Sequence, residues 1–402
     1  MTKNHFDFII IGAGIIGLTI AREIKQHSPE LSILIIEKES KVGSHASGRN
    51  SGVLHSGVYY STESNKAKLC ANSSRAIYQY CQEKNLPVNR IGKVIVPTTT
   101  DDQSLDELVK RGKKNQTKLE LIDEKQLTEI EPLAKSASGR AIFCEETSVV
   151  CQKSLLNRLE QDIKNMGVQI CYEEHYTSYN SDRNIIKTNR RRVYFGYLIN
   201  CAGAFADKIA KNFEASQNYI ILPFRGSYYK YTQTLENIPK RLIYPAPDLN
   251  MPFLGIHSIT NIHGECYFGP NAMPALGREN YRTLKGFNIV DTSKTSLALL
   301  KQLIKNDQFF RDYLKSELKS LSRAGFSKKV NQLVKGFDPK YLKKSNKCGI
   351  RAQLYNTKEN KLEMDFIVEN RNKSTHILNA VSPAFSSSFE FSKLVVKNIL
   401  SQ

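Results

Sequence analysis

The stretch Phe8-Ile9-Ile10-Ile11-Gly12-Ala13-Gly14-Ile15-Ile16-Gly17 decides the fold. An apolar run of strand length enters a G-x-G-x-x-G turn, and a second apolar run, Ile33 to Ile36, ends on Glu37. This order reads as strand, tight turn, helix and strand of a dinucleotide-binding α/β unit. Gly12 permits the turn, Gly14 lets a pyrophosphate approach the backbone, and Gly17 lets helix and strand pack closely. Ile15 and Ile16 open the helix, whose free N–H groups and positive dipole end attract phosphate. Glu37 lies twenty residues past Gly17, where its carboxylate can accept from a ribose diol, and Lys38 stands beside it. The turn alone leaves NAD and FAD both open.

Outward from this turn, 402 residues suffice for two domains and a large core. Eight cysteines, at 70, 81, 144, 151, 171, 201, 266 and 348, form no C-x-x-C and no zinc spacing with the histidines. No metal is therefore expected, and a reducing, cytoplasmic compartment fits. The chain enters its first strand without the long apolar region of a secretory signal. Its apolar runs fall short of the ~20 residues of a membrane span. The formal charge of +19 is spread over 107–118, 187–192, 301–305 and 328–347. It suits an anionic substrate or peripheral contact with an anionic membrane. No RNA-binding motif interleaves aromatic with basic residues, so nucleic acid is not an expected partner.

Helix periodicity runs through about 65–84, 104–114, 153–166 and 294–323, and strand-like runs include 93–97, 141–144, 168–172, 197–201, 228–231 and 266–269. Two stretches return to the nucleotide domain. One ends in Cys201-Ala202-Gly203-Ala204, where small residues allow close approach of a ligand; the other ends in Ser382-Pro383-Ala384 and the serines at 386 to 388, expected at a helix N-terminus. The expected fold class is α/β: a discontinuous Rossmann-like nucleotide-binding domain from 1–84, 148–210 and 346–402. A substrate domain of α+β type, with a mainly antiparallel sheet, comes from 85–147 and 211–345.

The block that separates the cofactors is Gly43 to Tyr60, rich in small and polar residues and too long for an ordinary connection. Such a loop can wrap an extended ligand, which an NAD-dependent dehydrogenase does not need. Its core, S-G-R-N-S-G-V-L-H-S-G-V-Y-Y, followed by Lys66-Ala67-Lys68-Leu69-Cys70, resembles the FAD-binding segment of L-2-hydroxyglutarate oxidases and dehydrogenases. These are D-amino-acid-oxidase-like FAD oxidoreductases. The resemblance continues in order through Leu222 to Tyr229, Ile243 to Asp248, Pro252 to His257, Phe268 to Ala272 and Gly349 to Gln353. It departs at Met273-Pro274-Ala275-Leu276-Gly277, and is weakest over 100–145 and 280–345.

The resemblance implies hydride transfer from C2 of L-2-hydroxyglutarate to the flavin N5, giving 2-oxoglutarate. A base, a carboxylate clamp and stabilisation of the reduced flavin are then needed. His55, directly after the wrapping loop, is the first candidate base or hydroxyl-orienting group, and His257, expected at the end of the strand Pro252 to Ile256, is its rival. Arg351 and Arg225 are candidate carboxylate clamps, since guanidinium meets carboxylate in a bidentate fork. Tyr228 and Tyr244 are candidate hydroxyl donors. Asn50, Ser51 and Gly52 join the expected FAD contacts, with Ala202 and Gly203. Ser382, Pro383 and Ala384 would present N–H groups to the flavin N1–C2=O edge. Oxygen or a membrane quinone would reoxidise the flavin. Alternatives are a glycerol-3-phosphate or glycine/sarcosine type of the same fold, or a non-enzymatic flavin-binding protein tethered at a membrane. The Y-P-x-P-D and G-P-N-A blocks argue against the first.

Overall fold

The computed structural model describes residues 4–247, 254–282, 285–304 and 308–401. Asp248, Pro252 and Phe253 of the blocks above lie outside the described residues.

The chain separates into two compact units. The first comprises Met1–Arg49, Gln152–Pro223 and Arg351–Gln402, and the second Asn50–Cys151 and Phe224–Ile350. The first division falls at Arg49/Asn50 rather than at the expected 84. The reason is local pairing: Val53–Leu54 pairs antiparallel with Ser148–Val150, which also pairs with Val88–Arg90, so 50–84 travels with the second unit.

In the first unit, His5–Ile11 lies between Arg192–Asn200 and Ile33–Ile36, both parallel to it. Gln169–Cys171 extends the parallel set beyond Ile33–Ile36, and Ser374–Ile377 joins Arg192–Asn200. Ile33–Ile36 is buried throughout, as a strand covered on both faces requires. Helix Ile15–His27 crosses back from the turn and buries Leu18, Ile20, Ala21 and Ile24; each large apolar side chain contributes about 1.5–3 kcal/mol. The C-terminal helix Ala384–Leu400 lies beside it, joined by Thr19 Oγ1 to Ser392 Oγ at 2.6 Å. The expected strand over 197–201 is the end of a longer one, Arg192–Asn200, whose start pairs with the hairpin Tyr176–Asn180 and Ile185–Thr188.

The second unit is mainly antiparallel. Tyr219–Tyr231, which crosses the division after Pro223, pairs with Cys266–Gly269, and that strand pairs with His257–Thr260. A four-stranded sheet runs Leu242–Pro245, Lys93–Val96, Ala141–Cys144, Glu120–Ile122, with only the first pair parallel. Its register sorts side chains by parity. Val94, Val96 and Ile243 enter one apolar cluster, with Phe268, Phe326 and Val330. Ile95, Leu242, Tyr244, Ile142 and Cys144 enter another, with Val53, Tyr59 and Tyr228.

Two expectations change in detail. The helical pattern over 294–323 is two helices, Ile289–Ile304 and Gln308–Lys319, followed by Arg323–Asn331. His257 opens the strand His257–Thr260 instead of ending one. The serines do stand at a helix N-terminus, as first-turn rather than cap residues: the helix begins at Ala384, its N-cap is Pro383 without a side-chain bond, and Ser386, Ser387 and Ser388 are all buried.

Candidate functional site

The turn in the first unit is held by backbone. Gly12 has φ +103°, and a Cβ there would lie 2.6 Å from the Cys201 carbonyl oxygen. A Cβ on Gly17 would lie 2.1 Å from the Gly12 oxygen, so helix and turn touch where the third glycine of the motif predicts. Gly14 differs: the nearest atom to an added Cβ is Ser47 Oγ at 3.0 Å. That hydroxyl accepts from Ile15 N at 3.0 Å, at the N-terminus of helix Ile15–His27. The small cradle at Gly14 is thus bordered by a side chain that can turn away, as an entering pyrophosphate requires.

Glu37 is buried, with Oε2 accepting from Ala13 N at 2.8 Å and Oε1 from Glu39 N at 2.9 Å. These bonds fix the carboxylate at the strand end. Its four lone-pair positions leave acceptor capacity for a ribose diol, so the residues fit the ADP half of FAD. Lys38 donates to Glu39 at 2.6 Å and lies 5.5 Å from the Phe205 ring centre. His45 also meets Glu39 at 2.8 Å, and the hydrogen bonds from Lys38 first and His45 second hold the Glu39 carboxyl down to about 2.

Ala202 N donates to Asn200 Oδ1 at 3.2 Å, and a Cβ on Gly203 would meet nothing within 4 Å. Behind them lies a buried chain that sequence reading missed. Asn200 Nδ2 donates to the Ala206 carbonyl at 2.8 Å and to His376 Nδ1 at 3.1 Å, and His376 Nε2 meets Ser374 Oγ at 2.8 Å. Burial lowers the His376 pKa to about 4, so its ring is neutral and Nδ1 is free to accept. Its position on a strand facing an interior asparagine was the only signal. At the C-terminal helix, Ala384 N donates to the Val381 carbonyl at 2.9 Å.

In the second unit, Asn50 Oδ1 accepts from Gly52 N at 2.8 Å and Ser51 Oγ from Val53 N at 3.4 Å, a local turn leading into Val53–Leu54. The next residue is His55. Its carbonyl accepts from Ser74 Oγ at 2.7 Å and Cys70 Sγ at 3.2 Å, both on helix Asn65–Glu83, which anchors the backbone beneath the imidazole. That half-buried ring meets Tyr244 edge-on, with centres 6.5 Å apart. Tyr244 in turn stacks on His257 at 3.9 Å and 24°. His257 Nδ1 lies 2.8 Å from the Gly255 carbonyl oxygen. A carbonyl can only accept, so Nδ1 carries the hydrogen and the neutral ring has its lone pair on Nε2.

The structure therefore brings both expected histidines onto one expected tyrosine. Tyr228 belongs to the same apolar cluster, with Lys347 Nζ 5.2 Å from its ring centre. Burial lowers the Lys347 pKa to about 8. Arg225 is half-buried, paired in register with Met273, and Arg351 is half-buried on Leu342–Asn356 at the start of a first-unit segment. Two groups of the ring cluster were not singled out from sequence: Tyr59, and Lys93, whose Nζ lies 4.5 Å from the Tyr59 ring centre and 5.3 Å from that of Tyr244. Their only signal was a lysine leading an otherwise apolar strand, Lys93-Val94-Ile95-Val96.

The matched blocks F-R-G and G-P-N-A meet each other. A Cβ on Gly226 would lie 2.8 Å from Pro270 Cβ, and Asn271 Oδ1 accepts from Ser227 N at 2.8 Å. These residues lock two strands of the second unit.

The family model "FAD dependent oxidoreductase" (DAO) matches residues 7–336. The chain belongs to this family of FAD-dependent oxidoreductases. It is 33% identical over 388 residues to L-2-hydroxyglutarate dehydrogenase of Indibacter alkaliphilus, covering 95% of this chain and 96% of the relative. It is 31% identical to L-2-hydroxyglutarate dehydrogenase of Escherichia coli K12, over 98% and 93% of the two chains. The mitochondrial L-2-hydroxyglutarate dehydrogenase of Homo sapiens is also 31% identical, over 99% and 89%. Among solved structures, L-alpha-glycerophosphate oxidase from Mycoplasma pneumoniae with FAD bound superposes with TM-score 0.76 at 18% identity, covering 98% of this chain and 95% of that one. Glycine oxidase from Geobacillus kaustophilus superposes with TM-score 0.71 at 15% identity, covering 99% and 95%. At those identities the likeness is one of fold.

Proposed function

We propose that this chain oxidises L-2-hydroxyglutarate to 2-oxoglutarate. What carries the reading is the identity of 31–33% to dehydrogenases of that substrate, running through nearly the whole length of each chain. Bound FAD supplies the two-electron acceptor for the C2 hydride. The hydroxyl proton must leave as the C2–H bond breaks, and a neutral imidazole is suited to take it near pH 7. His55 is the reachable ring of the pair and has this role. His257, buried and tied to Gly255, holds Tyr244 in place. Arg351 is the favoured carboxylate clamp, with Arg225 second, and Tyr228 and Tyr244 complete the substrate contacts. Gly12 to Gly17, Glu37, Lys38, Asn50 to Gly52, Ala202, Gly203 and Ser382 to Ala384 hold FAD.

The test is anaerobic mixing of the yellow holoprotein with each enantiomer. L-2-hydroxyglutarate is expected to bleach it and D-2-hydroxyglutarate to leave it yellow. Bleaching by glycine, sarcosine or glycerol 3-phosphate instead would transfer the chain to the alternative reading.

A second reading concerns the electron acceptor: a membrane quinone, reached by peripheral docking. Helix Ile289–Ile304 supports it by being turned inside out. Asp291, Thr295 and Gln302 are buried, with Asp291 paired to buried Arg278 at 3.1 Å, whereas Ile289, Val290, Leu297 and Leu300 are at least half exposed. Exposed Lys294 and Lys301 flank this apolar face, the pattern of an interfacial helix on an anionic surface. No helix among the described residues is long and apolar enough to cross a membrane. Sedimentation with anionic vesicles is expected, and its loss in the double variant Leu297→Asp, Leu300→Asp; equal sedimentation of that variant would reject this helix as the docking face, and failure of the wild type to sediment would favour oxygen as acceptor.

A further inference from the structure

Lys93 is 0% exposed, and among the described residues its Nζ has no hydrogen-bond acceptor. Burying an amine without one is costly, so its surroundings matter. Register explains how it arrives there. Lys93 pairs with Leu242 on one side and Cys144 on the other, and shares its face with Ile95 and Tyr244 two positions on. That face is the one on which Tyr59, Tyr244 and Cys144 gather. Nζ therefore sits between two aromatic rings, which offer a cation their negative faces. The titratable groups facing it are Tyr59, Tyr244, Cys144 and Cys70, with His55 and His257 on the far contacts of Tyr244. Burial pushes the lysine pKa down, and the two ring faces are what favour its ammonium. Burial also holds Tyr59 and Cys144 protonated, so neither offers an anion to neutralise the ammonium.

We propose that Lys93 is a positioning residue that acts through Tyr244: its ammonium, held between Tyr59 and Tyr244, disfavours a second cation on the other side of that ring system and so keeps the imidazoles of His55 and His257 in the neutral form that accepts a proton. The inference rests on the reading of His55 as proton acceptor. A unit charge about 10 Å away in a medium of effective dielectric about 20 moves a titration midpoint by about one pH unit.

The experiment compares holoprotein of wild type, Lys93→Met, Lys93→Gln and Lys93→Arg. Anaerobic flavin reduction by L-2-hydroxyglutarate is followed from pH 5.5 to 9, and histidine ring NMR titrations are assigned with His55→Gln and His257→Gln. In the Met and Gln variants the imidazole midpoints and the acid limb of the reduction rate are expected to rise by about one pH unit. Reduction should then be roughly fivefold slower than wild type at pH 5.5 and equal to it above pH 8.5, while Lys93→Arg keeps the wild-type profile. Unchanged midpoints in a folded Met or Gln variant overturn the proposal. Should both neutral variants fail to fold, a wild-type midpoint for both rings at or above the ordinary histidine value overturns it. Midpoints that shift without any reduction of wild type by the substrate would keep the role of Lys93 and reject the substrate reading.

Discussion

At the turn after His5–Ile11, the groups that shape the binding cradle come from one short span: Gly12, Gly14, Gly17, Glu37 and Ser47. Most of them act through backbone, and their spacing along the chain is their spacing in the fold. Around Tyr244 the groups come from residues 55, 59, 93, 244 and 257: His55 and Tyr59 share one loop, and Lys93, Tyr244 and His257 are delivered by three different strands. There the side chains carry the chemistry, and strand register decides which of them meet. The first kind of site fails when a backbone approach is blocked. The second fails when one side chain is removed, and its scaffold survives.

The largest expected effect tests the first half of that contrast. Gly17→Ala places a Cβ against backbone that cannot move aside, and should cost about 3 kcal/mol and abolish retention of the yellow cofactor. Gly14→Ala meets only the Ser47 hydroxyl and should keep the wild-type melting temperature while binding FAD more weakly. Equal melting temperatures for the two variants would show that the turn is not held by backbone contact. Next, His55→Ala should lower the flavin reduction rate at least about 100-fold with thermal stability intact. Retained reduction there, with loss in His257→Ala, would move the base role to His257.

A pH dependence of folding stability arises in the first unit. His376 titrates near 4 when folded because burial disfavours its cation. Unfolded, it titrates near the ordinary value of about 6.5. Between these values the unfolded chain binds more protons, so the contribution is complete above about pH 6.5 and is lost as pH falls toward 4, amounting to about 3 kcal/mol. His376→Gln should flatten this window in denaturant titrations at pH 7 and pH 4.5. The smallest effect is expected from Arg351→Ala, which should raise KM roughly tenfold with little change in kcat. A fall in kcat with KM unchanged would assign Arg351 to the flavin side of the chemistry.

The strand, turn and helix at Phe8 to Gly17 were legible because apolar period, glycine spacing and the acid at Glu37 are all local. The helix limits at 65–84, 104–114 and 153–166 were close for the same reason. The inverted helix Ile289–Ile304 was misjudged in extent, because periodicity reports an apolar stripe and not whether that stripe faces inward. His55, His257 and Tyr244 were each named from motif context, but nothing in their spacing says that one ring touches the other two.

The amino-acid sequence by itself determined the nucleotide turn, the alternating apolar strands and the resemblance that names a cofactor and a substrate. Those depend on neighbours along the chain and on side-chain identity. Only the tertiary structure decided that Tyr244 lies between two histidines, that Lys93 points inward beside it, and that His376 is sealed against Asn200. These follow from register between distant strands, where a shift of one residue would send every such side chain to the opposite face.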